Sequence, residues 1–367
     1  MVGKFNPWEI EGDINYSKLI KEFGIEEMKA LPDLFQDEVL FRRGVVFANR
    51  DFGRILNALK EKKKFIVMTG LMPTGHFHIG HMLLLRQIIF WQRLGAKIYI
   101  AIADVEAYNT RNQSFEESRK IARDYLLDYV ALGLDIDKCE VYFQSARSDI
   151  AKRSNAYYRL QNQLAGHVTF NEFKGAYGDV TPGKMVSSLI QGSDMLHPQM
   201  KEFEGVCPVL IPVGIDQDPH IRLTRDIMKR VKEYKFIPIS STYHLFMSGL
   251  GGGKMSASDP NSHIAMTDSY AQIKKKIGRA FSGGKETTEE HRRLGGNPDI
   301  DVSFQYLKFF FEEDDSKLSE IEKSYRSGEM LSGELKKILI DKVHKFLEDH
   351  QKKRNDAEGI VNKFLEK

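Results

Sequence analysis

Phe65-Ile66-Val67-Met68-Thr69-Gly70-Leu71-Met72-Pro73-Thr74-Gly75-His76-Phe77-His78-Ile79-Gly80-His81 is the stretch on which the reading of this chain turns. Its first five residues form a short apolar run closed by glycine and then proline, which predicts a buried strand. A helix rich in Leu, Ile and Met follows from Gly80 to Leu94, with Gly95 as its stop. A strand that turns straight into a helix is the building unit of an open parallel sheet. In such a sheet the carboxyl ends of the strands line the ligand crevice. The start of the following helix offers unpaired N–H groups and a positive dipole end to phosphate.

Outward from this unit the alternation continues. Lys97 to Ala103 predicts a second strand, closed by Asp104, and Ser114 with Glu117 reads as a capping box for a helix to about Leu132. Glu140 to Phe143 and Pro208 to Val213 predict two more strands, with a mostly helical stretch from Asp149 to Gln199 between them. Strands alternating with helices imply α/β architecture, a parallel sheet covered on both faces. Beyond Asp268 the patterns are helical only: Tyr270 to Phe281, Val302 to Glu312, Ser316 to Ser327, Leu331 to His350 and Asn355 to Lys367. Upstream, Ile25 to Leu40 reads as helical, and Phe41-Arg42-Arg43-Gly44 leads into Val45-Val46-Phe47. The expected organisation is an N-terminal extension (1–60) packed on a catalytic domain (61–270), with a helical insertion at about 149–205, then an all-helical domain (271–367).

The bulk numbers agree with a two-domain globular protein. The chain has 367 residues, 41% hydrophobic and 29% charged, with a net charge of +3. That surplus is small for a protein that coats long nucleic acid, though local patches for a structured RNA remain compatible with it. Two cysteines, Cys139 and Cys207, lie far apart and outside any CxxC context, which speaks against a zinc site or a disulfide framework. No run of 18 apolar residues exists, and the N-terminus lacks the design of a secretory signal. A cytoplasmic protein is expected.

The chemistry-bearing residues fall into three groups. In the first, Thr74, Gly75 and Gly80 shape the turn, the glycines letting backbone approach a flat base. His78 and His81 are placed to donate hydrogen bonds to an α-phosphate as charge builds there. Taken alone, this string is equally a surface turn with clustered histidines. A metal site at His76, His78 and His81 lacks a completing carboxylate or thiol. In the second group, Gly249, Gly251, Gly252 and Gly253 precede Lys254-Met255-Ser256-Ala257-Ser258. A lysine on a mobile loop can reach a leaving pyrophosphate, and Ser256 and Ser258 add hydroxyl donors. A Walker A loop fails on spacing, since Ser248 stands where its first glycine belongs and Met255 where Ser or Thr would hold magnesium. In the third group, Gly214-Ile215-Asp216-Gln217-Asp218 closes a strand, which suits Asp216 to accept from ribose hydroxyls, with Asp218-Pro219 opening a helix.

His78-Ile79-Gly80-His81 and Lys254 to Ser258, in this order, resemble the class I aminoacyl-tRNA synthetases. In detail the chain is most similar to the tryptophanyl-tRNA synthetases of the archaeal and eukaryotic kind. Phe41-Arg42-Arg43-Gly44, Gly183-Lys184-Met185, Gln191, Ile215 to Pro219, Thr224-Arg225-Asp226 and Lys254 to Asn261 carry the resemblance. So do Ala280 to Gly284, Glu289 to Arg292, Gly295-Gly296-Asn297, Asp301 to Phe304 and Gly328 to Lys337. It implies a Rossmann-type catalytic domain, a C-terminal helical anticodon-binding domain and a homodimer. The implied reaction joins L-tryptophan to ATP, held with Mg2+ as the substrate complex, and passes the acyl group to tRNA(Trp). No tightly bound cofactor, resident metal, DNA or membrane partner is implied.

Carried over position by position, the resemblance makes His78, His81 and Lys254 catalytic. Thr74, Gly75, Gly80, Gly214, Asp216, Met255, Ser256 and Ser258 then join Lys254 around ATP, and Met68, Glu106, Gln191 and Gln217 line the amino-acid pocket. The chain departs from the family at Met68 and Ala101, where relatives place a tyrosine and a glutamine that reach the indole N–H. Glu106 is then the expected acceptor, and tyrosine activation is the alternative substrate reading. A nucleotidyltransferase with the same histidine motif predicts neither the lysine loop nor the helical third. A non-catalytic RNA-binding paralogue would be expected to have lost His78, His81 or Lys254.

Overall fold

Ile66 and Met68 face one side of a central sheet and Val67 and Leu71 the other, and each side is buried in its own apolar cluster. That double coverage is why the run reads as continuously hydrophobic rather than alternating. The computed structural model describes residues 5–6, 9–10, 16–29, 31–253, 255 and 259–365. The sheet has seven strands: β1 (Glu26–Glu27), β2 (Val46–Arg50), β3 (Ile66–Leu71), β4 (Lys97–Ile102), β5 (Cys139–Phe143), β6 (Val209–Gly214) and β7 (Ser240–His244). Their order is β1-β2-β7-β6-β3-β4-β5. The five from β7 to β5 are parallel, while β2 runs antiparallel to both its neighbours.

Helices α1 (Ile79–Arg93), α2 (Asp104–Arg111), α3 (Phe115–Ala131), α4 (Ala151–Ala165), α5 (Phe170–Tyr177), α6 (Pro182–Leu196) and α7 (Asp218–Met228) connect the strands. Apolar residues of α1 and α3 cover one face, and those of α4, α6 and α7 the other. From β3 the chain adds β4 and β5 to one side, then crosses to lay β6 on the other side of β3. That reversal is the topological switch point, where open α/β sheets bind ligands. The ladder there is short. β3 pairs with β6 only through Ile66–Val209 and Val67–Leu210, whereas it pairs with β4 over all six of its residues. The carboxyl-terminal halves of β3 and β6 are thus not paired with each other.

Four of the five parallel strands are those expected from the sequence. β7 is not, because Ser240-Ser241-Thr242-Tyr243-His244 is polar, yet all five residues are buried. Hydrogen bonds replace apolar burial there: Ser241 donates to the Tyr243 hydroxyl at 2.7 Å and Ser240 to the Asp51 carbonyl at 2.8 Å. The expected helix from Ile25 to Leu40 is corrected. Glu26 and Glu27 pair with Asn49 and Ala48 as β1, and Pro32 then leads into a single 3-10 turn at Asp33–Phe35. Only Val39–Arg42 is helical. Proline fixes φ and removes an N–H, so a helix cannot continue through it. Phe35, Phe41 and Phe52 instead pack around Trp91 of α1, with ring centroids 5.6–6.0 Å away.

The last third is helical: α8 (Tyr270–Gly278), α9 (Thr288–Leu294), α10 (Val302–Tyr306), α11 (Asp315–Arg326), α12 (Ser332–Asp356) and α13 (Glu358–Leu365). The expected helix from Val302 to Glu312 changes to a π-turn at Leu307–Phe311. Adjacent residues of a regular helix point in different directions, and the wider turn accommodates Phe309, Phe310 and Phe311, all buried. These helices share one continuous core with the α1 face of the sheet, from Phe35 through Ile100 to Val361. A buried polar tie crosses the same junction, where Asp128 of α3 meets His350 at 2.8 Å and Arg354 at 3.1 Å on α12. Among the described residues no helix is long and apolar enough to cross a membrane.

Candidate active site

His78 is the N-cap of α1, and its extended backbone leaves the first helical N–H groups without intrahelical partners. Two of them are satisfied reciprocally. The Gly80 N–H donates to His78 Nδ1, and the His78 N–H donates to His81 Nδ1, each at 3.1 Å. Since both Nδ1 atoms accept, the proton of each neutral ring is on Nε2, which makes Nε2–H the donor each can offer a ligand. The rings stack with centroids 3.8 Å apart. A Cβ on Gly80 would lie 2.9 Å from the His78 ring and 2.6 Å from Met255 Sδ, so any larger residue would displace one or the other.

The segment after the lysine loop is fastened to this helix start. Ile79 N–H donates to the Ile264 carbonyl at 3.1 Å, Met266 N–H donates to Phe77 at 3.2 Å, and His78 bridges Ala265 antiparallel. Two motifs far apart in the chain therefore meet, with Met255 seated against Gly80. Lys254, Ser256 and Ser258 lie outside the described residues. The preceding turn is held from behind: Tyr125 donates to the Thr74 carbonyl at 2.7 Å and Gln113 to that of Pro73 at 2.6 Å. Gly75 adopts φ +65° there and is exposed, as is His76.

At the end of β6, Gly214 makes room for its neighbour. A Cβ would stand 2.6 Å from Asp216 Oδ1, so the glycine lets the carboxylate fold back over the strand end. Gln217, expected in the amino-acid pocket, donates to Asp216 at 3.3 Å. Glu106 and Gln191 do come together, the Gln191 amide donating to the Glu106 carboxylate. Met68 is buried on β3 beside Tyr99 of β4, and Gly70 pairs with Ala101.

Behind Glu106 lies a polar group that the sequence did not disclose. The Glu106 N–H donates to Gln144 Oε1 at 3.4 Å, and Gln144 donates to Asp194 at 2.8 Å. Tyr142 and Tyr157 donate to the same carboxylate at 2.7 and 2.6 Å. Burial pushes Asp194 up to about 6, against the lowering effect of these three donors. Tyr177 pairs with His220 Nδ1 at 2.8 Å, completing a buried wall. Only the partial polarity of α6, with Ser188, Gln191, Ser193 and Asp194 among apolar residues, hinted at this.

Burial also holds the histidines neutral. It lowers His78 far below the usual imidazole value, with His81 and His263 as secondary causes, and lowers His81 and His220 to about 3 and His244 to about 4. His197 moves the same way, through burial first and the neighbouring Arg147 second. For each, the folded value lies below the unfolded value of about 6.5. The stability they contribute is therefore complete above pH 6.5, and falls as pH drops and the unfolded chain gains protons the fold refuses. Asp194, shifted upward, offsets roughly one proton between pH 6 and 4. Urea midpoints at constant ionic strength are expected to fall steadily from pH 6.5 to 4.5. Equal midpoints at pH 7 and pH 5 would contradict this account of the buried rings.

With this geometry in place, similarity to known proteins becomes informative. Residues 60–348 match the family described as tRNA synthetases class I (W and Y). The tryptophan–tRNA ligase of Methanocaldococcus jannaschii is 42% identical over 370 residues, covering 99% of this chain and 98% of the relative. That of Aeropyrum pernix is 40% identical, with 99% and 98% covered. Among solved structures, tryptophanyl-tRNA synthetase from Aeropyrum pernix K1 superposes with a TM-score of 0.90 at 40% identity, covering 95% of each chain. The Plasmodium falciparum tryptophanyl-tRNA synthetase gives 0.81 at 31% identity, covering 95% of this chain and 97% of that one.

Proposed function

The chain belongs to the class I tRNA synthetases of the tryptophan and tyrosine group, and we propose that it acts as a tryptophan–tRNA ligase. In the first step an oxygen of the tryptophan carboxylate bonds to the α-phosphorus of ATP, and the bond to pyrophosphate breaks. In the second, a ribose hydroxyl of tRNA(Trp) takes the acyl group and AMP leaves. A carboxylate is ionised at neutral pH, so the first step needs no general base, and placement and charge stabilisation supply the rate.

The observation that carries this reading is the tie between Phe77–Ile79 and Ile264–Met266. It supports one phosphate site built from both motifs at the switch point of the sheet. His78 and His81 donate Nε2–H to the α-phosphate oxygens, and Lys254, Ser256 and Ser258 meet the leaving pyrophosphate. Thr74, Gly75, Gly80 and Met255 shape the nucleotide's bed, with magnesium entering as part of the nucleotide substrate. Asp216, folded over Gly214, accepts from the ribose. Glu106 and Gln191 hold the amino acid against Met68, and Glu106 serves as acceptor for the indole N–H. Gln217, whose amide donates to Asp216, is the remaining member of this pocket. The helical region after residue 270 reads the anticodon, two copies of the chain form the working dimer, and the cytoplasm is its place of action.

ATP–pyrophosphate exchange across the twenty amino acids tests the substrate. Tryptophan is expected to support exchange and tyrosine to fall below it by about 10³-fold or more, since a pocket built around one polar acceptor discriminates strongly. Exchange with tyrosine and none with tryptophan would overturn the assignment.

A further inference from the structure

His263 stands where the lysine loop rejoins the body of the protein. Leu250 N–H donates to the Ser262 carbonyl at 2.8 Å, which closes the base of the loop, and Ile264 and Met266 are bonded to Ile79 and Phe77. Between these anchors the buried His263 ring lies 4.5 Å from the His78 ring at an interplanar angle of 32°. His78 in turn stacks on His81, and His81 on Phe77 with centroids 5.1 Å apart. Four flat rings thus form one column, and its outer member is part of the loop's return arm. The turn beyond is fixed as well, since Ala265 N–H donates to Asp268 at 3.0 Å and Asp268 pairs with Lys276 at 2.6 Å.

The Gly80 N–H bond holds His78 at Nδ1 but does not by itself stop the ring from tilting about that bond. Two neighbouring rings restrict that motion, His81 stacked on it with centroids 3.8 Å apart and His263 lying 4.5 Å away at a tilt of 32°. We propose that His263 is a positioning residue for adenylate formation: as the third ring of the stack it fixes the tilt of His78, and with it the line along which Nε2–H meets the transferring phosphate. It thereby ties the aim of the helix-borne histidines to the place of the loop that carries Lys254. The inference rests on the reading of His78 as a phosphate donor. What the reaction requires of His263 is a flat ring, not a titrating group.

The test uses the full-length chain in tryptophan-dependent ATP–pyrophosphate exchange, with H263A, H263N, H263F and H78A compared with the parent. H263A and H263N are expected to lower kcat about tenfold while KM for tryptophan stays within about twofold, because a misaimed donor weakens the transition state and not the amino-acid pocket. H263F restores a flat face and is expected to keep kcat within about threefold. H78A is expected to be at least as slow as H263A. Should H263A fail to fold, as judged by its melting transition, H263N supplies the same comparison. If H263F is as slow as H263A, stacking is not the contribution and the proposal falls. Parental rates in H263A and H263N beside a slow H78A overturn it while leaving the phosphate site intact. A parental rate in H78A removes the phosphate reading and this inference together. A KM for tryptophan that rises as kcat falls marks a general structural loss, and that also overturns it.

Discussion

Lys254→Ala is expected to slow tryptophan-dependent pyrophosphate exchange by about 10²–10³-fold, the range seen when a group aimed at developing charge is removed. Attack by a carboxylate brings a further anionic oxygen to a phosphorus already surrounded by negative oxygens. In the proposed site His78 and His81 offer hydrogen bonds there but no charge, because burial keeps both rings neutral at pH 7. On the proposed reading, the full positive charge within the paired motifs falls to Lys254, a compact ammonium on a loop that follows glycines, beside the magnesium that enters with the nucleotide. KM for tryptophan should change little and the unfolding midpoint not at all. Lys254→Arg should recover only part of the rate, since its planar fork spreads the charge over a larger group. An exchange rate in Lys254→Ala equal to that of the parent would end this role for the loop.

Gly295→Ala is expected to destabilise the fold by about 3 kcal/mol or more, read as a lower denaturant midpoint. Gly295 adopts φ +71°, a region that costs an L-residue about 1–2 kcal/mol on its own. The added Cβ would also lie 1.7 Å from the Arg326 carbonyl oxygen, an overlap with backbone that no rotamer change relieves. Its neighbours are equally tight: Gly296 N–H donates to Tyr325 at 2.8 Å, and a Cβ on Gly283 would stand 1.9 Å from the Asn297 oxygen. A midpoint within error of the parent's would show that α9 and α11 can move apart at little cost. Gly333→Ala, where nothing lies within 4 Å, is the matched control and should leave the midpoint nearly unchanged.

Those contacts account for a string that the sequence presents without explanation. Ser282-Gly283 and Asp301-Val302-Ser303 gather at one buried carboxylate, with Gly295-Gly296-Asn297 packed against Gly283 and Tyr325. Asp301 accepts from the N–H groups of Gly283, Ser303 and Phe304 at 2.9–3.2 Å, from Ser282 at 3.1 Å and from Tyr325 at 2.8 Å. The glycines are small because backbones touch there, and the aspartate is fixed because five donors converge on it.

What the sequence determined by itself is whatever local pattern encodes. Phe65 to Thr69 and the helix behind His78 settle an open α/β sheet, because burial on both faces writes a continuous apolar run. The order of the histidine and lysine motifs settles the reaction class. The helical third is legible from its periodicity, except for the short helix Thr288–Leu294, which that periodicity did not mark. What only the tertiary structure decided is which polar groups find each other. β7 has no hydrophobic signal to betray it, since Ser240, Ser241 and Tyr243 are buried through hydrogen bonds. Asp194 joins Tyr142 of β5, Gln144 and Tyr157 through the long connection from β5 to β6, and His263 completes a stack begun nearly half the chain earlier. An apolar residue needs only to be buried, so its spacing reveals its place. A buried donor or acceptor needs one partner at one distance, and nothing near it in the sequence says which residue that will be.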